Sequence, residues 1–300
     1  MKLLVITQKV DKNDPVLGFF HRWLEEFAKH YESIIVICLE KGAYDLPNNV
    51  KVLSLGKEDD GSRSEYILKF YKYIWEEREN YDAVFVHMNQ EYVILAGDLW
   101  RLLGKKIYLW RNHAKGNILT DLAVLLSHKV FCTSPSSYTA KFKKTVLMPA
   151  GIDTDFFRPD PRADRVSGSI LCLGRLAPVK KVLEFVDWLK DRDFKTATIA
   201  GGALPQDVQY EKDVRDRVAE YGLGNKVKFV GPVTQSEAKT LYQTHETYVN
   251  FTPAGSFDKT IIEAAACGAK LVVENPDLQD VNPAEHSMKK LMERLAKELN

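Results

Sequence analysis

The stretch SILCLGRLAPVKKVLEFVDWLK, residues 169–190, joins two different apolar patterns. Its first part, Ser169–Gly174, is a short apolar run that is typical of a buried strand. A loop with one proline follows, and the segment near Val179–Lys190 then repeats apolar residues at helical spacing. A strand that leads through a loop into a helix is the building unit of parallel α/β sheets, so this stretch predicts an α/β fold.

The same unit recurs along the whole chain. The first half predicts strands at Leu3–Thr7, Ile34–Cys38, Val50–Leu53, Ala83–His87, Lys106–Trp110, Lys129–Cys132 and Thr145–Met148. The second half predicts further strands at Thr196–Gly201, Lys226–Val230, Thr247–Phe251 and Lys270–Val273. Helical patterns lie between most of these strands, among them Glu91–Leu103, Asn117–Ser127, Asp207–Tyr221, Gln235–His245 and Thr260–Ala266. Two doubly wound α/β domains are therefore expected, with ligands at the carboxyl ends of the strands.

A proline-rich segment, Met148–Pro161, separates the two sets of strands. Its prolines and its glycine are typical of a stiff linker. We therefore place one Rossmann-like domain at residues 1–150 and a second at residues 151–283. A final helix is expected within residues 284–300, with no further strand.

Composition excludes several classes of protein. The chain has 300 residues, with 42 Lys and Arg against 41 Asp and Glu, and this balance argues against a polybasic nucleic-acid binder. No apolar run approaches the ~20 residues of a membrane span, and the N-terminal MKLLVI is expected to form a strand rather than a signal peptide. The cysteines lack CxxC spacing, which predicts buried thiols, neither disulfide nor zinc site, and a cytoplasmic location: Cys38, Cys132, Cys172 and Cys267.

The loop after the strand Ser169–Gly174 is the first candidate site. Arg175 and Lys180 both follow the carboxyl end of this strand. A forked guanidinium beside a flexible ammonium suits a diphosphate. The alternative is a solvated basic turn in which Arg175 pairs with a surface carboxylate.

The second candidate site is the segment 255–263, GSFDKTIIE, which opens an alanine-rich helix. Gly255 allows close approach of the backbone to a ligand, and Ser256 is the expected N-cap, so that the free amides at the helix start favour an anion. Glu263 lies on the same side of the helix as Ser256 and Thr260 and suits a carboxylate that accepts sugar hydroxyls. The alternative makes Ser256 a simple cap and Glu263 a surface residue, although a Glu buried between alanines would be costly unless paired.

Two further patterns have both a functional and a structural interpretation. Asp153-Thr154-Asp155 has the DxD form that binds metals in some transferases, but it lies in the linker before two phenylalanines, and we expect no metal there. His87, followed by Asn89, ends a predicted strand and either faces an acceptor or simply caps the strand.

Four motifs in this order carry a family resemblance: Gly174-Arg175-Leu176 with Lys180, the linker 151–159 (GIDTDFFRP), Phe229–Val233, and Ile262–Gly268. Together they resemble the retaining GT-B glycosyltransferases of family 4, the glycosyl transferases group 1. The resemblance covers Met1 to about Val273 and is strongest from Pro149 onward. It implies two Rossmann-like domains that face each other across a cleft, the first for the acceptor and the second for a nucleotide-sugar donor.

The resemblance also implies roles for single residues. Arg175 and Lys180 match the pair that holds the donor diphosphate, and Glu263 matches the carboxylate that binds the donor ribose. His113 resembles the histidine that touches the transferred sugar, and Gly18 resembles a glycine whose backbone reaches the sugar-phosphate. The remaining donor contacts would come from the nucleobase segment Gly231, Pro232 and Val233, and from the loop and helix start Gly255, Ser256, Phe257, Asp258, Lys259 and Thr260.

The chain departs from the family in two places. The first Glu of the paired-Glu motif should fall at position 255, which is a glycine, and Asp258 is expected to supply a carboxylate to the same sugar hydroxyls. Family members usually carry more strand and helix after the equivalent of Val273, so the second domain is short. In the family the terminal helix crosses back to the first domain, and residues 284–298 are expected to do so.

The resemblance implies a retaining, metal-independent transferase that moves a hexose-type sugar from a UDP- or GDP-sugar to an acceptor hydroxyl. The acceptor is a glycan, a lipid-linked molecule or a small molecule, no cofactor is expected, and contact with the inner face of a membrane is left open. Two alternatives stay open: a non-catalytic nucleotide-sugar-binding protein and a sugar-nucleotide epimerase.

Overall fold

The computed structural model describes residues 1–14, 16–255 and 257–299. The chain divides into two compact units. The first comprises Met1–Pro149 and the residues from Leu291 onward, and the second comprises Ala150–Lys290. The four cysteines are buried free thiols, as predicted. None of the helices in the described residues has both the length and the apolar character that crossing a membrane requires.

The described residues of the first unit form a parallel sheet of seven strands in the order β3-β2-β1-β4-β5-β6-β7. Its strands are β1 (Lys2–Val10), β2 (Ser33–Lys41), β3 (Val50–Ser54), β4 (Ala83–His87), β5 (Lys106–Trp110), β6 (Lys129–Cys132) and β7 (Thr145–Leu147). Its helices are α1 (Gly18–His30), α2 (Arg63–Glu76), α3 (Gln90–Leu102) and α4 (Ile118–Leu126). The predicted strands are all present, most of them within one or two residues of their predicted ends.

Helices cover both faces of this sheet because successive strand residues point to opposite sides. On β4, Val84 and Val86 belong to one apolar cluster with residues of α2, α3 and α4. Phe85, between them, packs its ring 5.6 Å from that of Phe27 on α1. A sheet that is buried on both sides explains the near-continuous apolar runs from which the strands were predicted.

The second unit contains a parallel sheet of five strands, again counted over the described residues, in the order β10-β9-β8-β11-β12. Its strands are β8 (Val166–Leu173), β9 (Thr196–Ala200), β10 (Val227–Gly231), β11 (His245–Asn250) and β12 (Lys270–Val273). Its helices are α5 (Val182–Lys190), α6 (Val208–Glu220), α7 (Gln235–Thr244) and α8 (Lys259–Ala266), and α9 (Met288–Leu299) ends the chain. The strand order reverses between β8 and β11, where doubly wound sheets bind their ligands.

The proline-rich segment differs from the prediction of a simple linker. The boundary between the units lies at Pro149, but Ala150, Ile152 and Phe157 are buried in the apolar core of the second unit. The backbone of Ile152 also pairs with that of Ser287. The apolar side chains of the segment are buried in the core despite its prolines. Most of the segment therefore belongs to the second unit and is not a linker.

The last helix, α9, divides between the units, because residues from Leu291 onward belong to the first. Tyr108 on β5 donates a hydrogen bond from its hydroxyl to the carbonyl oxygen of Leu299 at 2.9 Å. Lys129 on β6 donates from Nζ to the carboxylate of Glu298 at 3.1 Å. These contacts fasten the end of the chain to the strands of the first unit.

The ends of β8, β9 and β10 are joined by backbone hydrogen bonds. Gly174 donates its N–H to the carbonyl of Ala200 at 2.9 Å, and Gly201 donates to that of Gly231 at 2.7 Å. Gly201 has φ +128°, and a Cβ atom at this position would overlap the carbonyl oxygen of Gly174. Only glycine therefore fits at position 201.

We predict that Gly201→Ala lowers the free energy of unfolding by about 3 kcal/mol, because the methyl group adds both overpacking and backbone strain. Urea denaturation followed by circular dichroism measures the change. Gly224→Ala is the matched control, since a Cβ atom there meets nothing within 4 Å. Equal stability of Gly201→Ala and the unmodified protein would contradict the close packing of these strand ends.

Candidate functional site

The reversal of strand order in the second unit brings two loops together. β8 and β11 are hydrogen-bonded neighbours, with Leu171 opposite Tyr248. The loop after β8 carries Arg175 and Lys180, and the loop after β11 leads through Gly255 to the start of α8. The two candidate segments, 80 or so positions apart in the sequence, thus become adjacent at one edge of the sheet.

An ion pair joins the two loops. Lys180 Nζ lies 2.6 Å from Asp258 Oδ2, and the two side chains are only 17% and 5% exposed. Asp258 is the N-cap of α8, and its carboxylate accepts a hydrogen bond from the Thr260 N–H at 3.2 Å. One carboxylate therefore caps the helix and neutralises the lysine of the neighbouring loop.

Further donors surround the same carboxylate. Asp258 Oδ1 also accepts from the hydroxyl of Thr260 at 2.7 Å, while Oδ2 accepts from Asn250 Nδ2 at 2.9 Å and from the Thr252 hydroxyl at 3.1 Å. Burial alone would raise the pKa of Asp258, but the Lys180 ammonium and these hydrogen bonds outweigh it and hold the pKa well below its usual range. Asp258 is therefore a fully satisfied buried anion.

One prediction about this segment needs correction. The N-cap of α8 is Asp258, and Ser256, the expected cap, lies outside the described residues. The contact of Asp258 with sugar hydroxyls stays a prediction, and both of its oxygens accept bonds from within the domain. The role that these contacts give Asp258 is to position Lys180 and the start of α8.

Glu263 lies on α8, four residues after Lys259, and is partly buried. Tyr242 on α7 donates a hydrogen bond from its hydroxyl to Glu263 Oε2 at 3.2 Å. Burial, together with the charge of Asp258, raises the pKa of Glu263 to about 7, although the Lys259 ammonium opposes the shift. Burial likewise lowers the pKa of Lys259. Among the residues that the structure describes, Glu263 accepts this one hydrogen bond, at Oε2, so the carboxylate has capacity to accept hydroxyl groups.

Arg175 lies in the same loop as Lys180 but has a different environment. Its side chain is exposed, and within the described residues it has no carboxylate partner within 4 Å. The predicted alternative, a surface ion pair of Arg175, is therefore absent from this part of the chain. An exposed guanidinium at a strand end is available to an anionic ligand.

The other predicted donor residues lie along the same edge of the second unit. Gly231 ends β10 with φ +73°, and Pro232 and Val233 follow it. Gly255 is buried with φ +81°. The ring of Phe257 lies 5.4 Å from that of His286. The β10-β9-β8-β11 order places Gly231 and Gly255 at ends of strands on opposite sides of β8.

Two of the predicted site residues of the first unit, Gly18 and His113, lie in different segments. Gly18 begins α1, and a Cβ atom there would lie 3.2 Å from the carbonyl oxygen of Lys12. His113 is exposed in the loop after β5, where its Nδ1 accepts from the Lys115 N–H at 3.0 Å. These positions allow ligand contact, which stays a prediction.

His87 and Asn89 follow the end of β4. The His87 ring is buried and stacks on Phe20 with 4.0 Å between ring centroids, and Nδ1 lies 3.3 Å from the Thr7 hydroxyl. Asn89 donates from Nδ2 to Gln8 at 2.7 Å. This packing favours the structural alternative for His87, a residue that closes the strand end.

Sequence reasoning missed the polar residues that surround Asp258. Asn250 and Thr252 are buried, and the hydroxyl of Tyr248 donates to the carbonyl of Leu173 at 3.0 Å. A polar side chain at the end of an otherwise apolar strand, as in TYVNFT at 247–252, was the available signal. In the predicted DxD pattern, Asp153 accepts from the Phe156 N–H at 3.1 Å and thus closes a local turn.

Comparison with known families identifies the second unit. Residues 153–279 match the family model described as glycosyl transferases group 1. None of the curated proteins matches the chain in sequence. Residues 153–279 are therefore a glycosyl transferases group 1 domain, and the predicted class of enzyme, a glycosyltransferase, is confirmed.

Solved structures with a similar fold cover nearly the whole chain. Anabaena HepE in complex with UDP has a TM-score of 0.73 at 18% identity, over 99% of this chain and 90% of that one. HepE has also been solved with UDP-glucose, with a TM-score of 0.72 at 17% identity and the same coverage. Sucrose-phosphate synthase from Thermosynechococcus elongatus has a TM-score of 0.71 at 16% identity, over 100% and 90% of the chains. At these identities the likeness concerns the fold, and the predicted GT-B architecture is confirmed.

We predict that Asp258→Asn lowers the free energy of unfolding by about 3–5 kcal/mol at neutral pH, because the buried Lys180 ammonium loses its counter-ion. A carboxyl whose folded-state pKa is depressed stabilises the protein above its unfolded pKa of about 4, and this contribution is lost as the pH falls through the folded value. The difference between the two proteins in urea denaturation should therefore narrow below about pH 4.

Asp216→Asn is the matched control, since Asp216 pairs with Lys212 on the exposed surface of α6. This variant should unfold at the same urea concentration as the unmodified protein. A pH-independent difference for Asp258→Asn would show that the ion pair does not stabilise the domain.

Proposed function

We propose that this protein is a retaining, metal-independent glycosyltransferase of family 4 that moves a hexose-type sugar from a UDP- or GDP-sugar to an acceptor hydroxyl. The observation that supports this most is the convergence of Arg175, Lys180 and the start of α8 at the reversal of strand order. HepE, which shares the fold, binds UDP and UDP-glucose, and this favours UDP.

The donor diphosphate would lie between the loop after β8 and the start of α8. Arg175 is exposed there, and Lys180 uses one of its three N–H groups for the hydrogen bond to Asp258. Charge-assisted hydrogen bonds contribute about 1.5–3 kcal/mol each, against the ~8 kcal/mol of a micromolar ligand. Because Asp258 already neutralises Lys180, most of the uncompensated charge comes from Arg175.

The remaining donor contacts follow from the same edge of the sheet. The Glu263 carboxylate would accept the ribose hydroxyls, and the backbone at Gly231–Val233 would meet the nucleobase. Gly255 would let the backbone approach the sugar. As the sugar leaves, negative charge grows on the β-phosphate, and Arg175 and Lys180 stabilise that charge more strongly in the transition state than in the bound donor.

Metal independence is part of the proposal because the cations of the site can take the place of a metal ion at the diphosphate. Asp153, the first residue of the DxD pattern, uses its carboxylate to close its own turn. The four buried thiols fit a reducing, cytoplasmic location.

The proposal is tested by incubating the protein with UDP-glucose or GDP-mannose, each with and without a mixture of saccharide acceptors, in buffer containing EDTA. Release of the nucleoside diphosphate only with acceptor, together with a hexose added to the acceptor in mass spectrometry, supports transfer. An NMR spectrum of the product that shows the inverted anomer would contradict retention. A donor that is bound but never consumed indicates the non-catalytic alternative, and an epimerised donor indicates the epimerase.

We predict that Arg175→Ala slows transfer at least tenfold, because the variant loses one charge-assisted hydrogen bond to the leaving diphosphate. Arg162→Ala is the matched control, because the side chain of this arginine is 91% exposed in the same domain and pairs with the nearby Asp160. Lys180→Ala is a poorer test, since it leaves Asp258 buried without its counter-ion. Turnover of Arg175→Ala equal to that of the control would remove Arg175 from the mechanism.

We predict that UDP binds more tightly as the pH rises through about 7, the pKa of Glu263, because an ionised carboxylate is the stronger acceptor for ribose hydroxyls. Isothermal titration calorimetry at pH values from about one unit below to about one unit above this pKa measures the effect. Glu263→Gln should bind more weakly and lose the pH dependence. A variant that keeps the dependence would assign it to a group other than Glu263.

A further inference from the structure

A cavity of about 440 Å³ opens on the second unit, away from the proposed donor site. Residues 158–162 (RPDPR) form one of its sides, and Lys239 and Gln243 of α7 form the other. Sites for small molecules typically enclose roughly 300–1,000 Å³. The cavity therefore has room for a charged group together with the organic part that carries it.

The cavity lies at the amino ends of the strands of the second sheet. Residues 158–162 precede β8, and Gln243 lies two residues before β11. Pro159 packs beside Gly268, two residues before β12, where a Cβ atom would lie 3.7 Å from the proline Cγ. The proposed donor site is at the carboxyl ends of the same strands. The eight residues of β8, at about 3.3 Å each, separate the two edges of the sheet by roughly 25 Å.

The backbone on the first side of the cavity is held in place. Gln243 is only 8% exposed, and its Nε2 donates to the carbonyl oxygen of Arg158 at 2.7 Å. Phe157, immediately before Arg158, is buried in the core of the unit. Pro159 and Pro161 fix φ at two further positions of the segment. The exposed side chain of Arg158 therefore extends from an anchored backbone.

The lysine on the second side is positioned without a carboxylate. Lys239 Nζ lies 4.7 Å from the centroid of the Phe156 ring, a cation–π contact that orients the ammonium. Among the residues that the structure describes, neither Arg158 nor Lys239 has a carboxylate within 4 Å. Both cations therefore keep their N–H donors for a ligand.

Of the described residues that line the cavity, Asp160 alone carries a carboxylate, and it is already engaged. Its Oδ1 accepts from the backbone N–H of Arg162 at 3.0 Å and lies 3.4 Å from Nε of the same arginine. These bonds, followed by the charges of Arg162 and Lys239, hold the pKa of Asp160 below its usual value. Asp160 and Arg162 balance each other, so the charges of Arg158 and Lys239 remain uncompensated.

We propose that this cavity binds the phosphate group of a small phosphorylated metabolite, with the Arg158 guanidinium and the Lys239 ammonium on the phosphate oxygens. A guanidinium fork matches two phosphate oxygens, and an ammonium adds a point charge. A phosphate monoester carries a charge of about −1.5 to −2 at pH 7, which matches two cations better than a carboxylate does. This inference does not rest on the proposed sugar transfer, because it concerns the opposite edge of the sheet.

A long polyanion fits the cavity less well than a small phosphate. The segment that forms the first side also carries exposed carboxylates beyond the cavity, at Asp155 and Asp164. A nucleic acid that placed one phosphate between Arg158 and Lys239 would bring its neighbouring phosphates toward these like charges. The surface around the cavity therefore favours a ligand with a single anionic group.

Isothermal titration calorimetry of the full chain with glycerol 3-phosphate tests the proposal. We expect a dissociation constant of about 1 mM or lower, which rises with added salt because the contacts are ionic. Acetate, with one negative charge, should bind at least tenfold more weakly. Inorganic phosphate is the second arm of the experiment. Tighter binding of glycerol 3-phosphate supports a phosphate ester as the ligand, and tighter binding of inorganic phosphate would overturn that assignment.

A double variant and a matched control locate the site. Arg158→Ala with Lys239→Ala should weaken the binding of glycerol 3-phosphate at least tenfold, because charge-assisted hydrogen bonds are lost. Lys190→Ala with Arg192→Ala is the control, since this exposed lysine and arginine of the same unit also lie over aromatic rings. The control removes the same charge and should leave binding unchanged. Thermal unfolding of both variants should match that of the unmodified protein, because no core side chain is changed.

Three outcomes would overturn the proposal. The first is the absence of binding of glycerol 3-phosphate. The second is equal weakening in the double variant and in its control, which would reduce the effect to general screening. The third is loss of binding in Arg175→Ala but not in the double variant, which would place the phosphate at the proposed donor site. Because sugar transfer is not measured, failure here leaves that proposal untouched, and failure of transfer leaves this result untouched.

Discussion

The ion pair between Lys180 and Asp258 is the interaction on which the organisation of the second unit's site depends. It joins the loop after β8 to the first turn of α8, and both charges are largely removed from water. Neither charge is tolerable there without the other, because an unpaired buried ion costs several kcal/mol. The positions of the two loops are therefore coupled, because a displacement of either loop leaves the charged residue of the other loop without its partner.

In the proposed function, this constraint changes how the site would bind a phosphate. A lysine that already has a carboxylate partner is held in a defined position, but its charge is largely compensated. The exposed Arg175 would then provide most of the attraction for an anion, while Lys180 would contribute directed donors. Glu263, with a pKa raised by burial, adds an acceptor whose strength changes near neutral pH. The site thus combines a buried, mutually neutralised pair with one exposed cation and one titratable carboxylate.

The elements and the class of fold could be predicted from the sequence because buried parallel strands leave uninterrupted apolar runs, as in Ser169–Gly174 and Ala83–His87. The linker was predicted less well: prolines suggested a spacer, whereas Ala150, Ile152 and Phe157 are core residues. The cap of α8 was also wrong in detail. Ser256 and Asp258 are both good capping residues, and local preference does not distinguish them.

The sequence by itself determined the alternation of strands and helices, the two-domain α/β architecture, and the position of Arg175 and Glu263 after strand ends, since each depends on patterns within a few residues. Only the tertiary structure decided that Asp258 pairs with Lys180, that Asn250 and Thr252 complete its hydrogen bonds, and that α4 keeps an exposed apolar face. Lys180 and Asp258 are 78 positions apart, so which of many possible partners meet depends on the packing of the whole domain. Asn250 and Thr252 are near Asp258 in the sequence, but their contacts with it depend on how the loop after β11 folds back over the strand end.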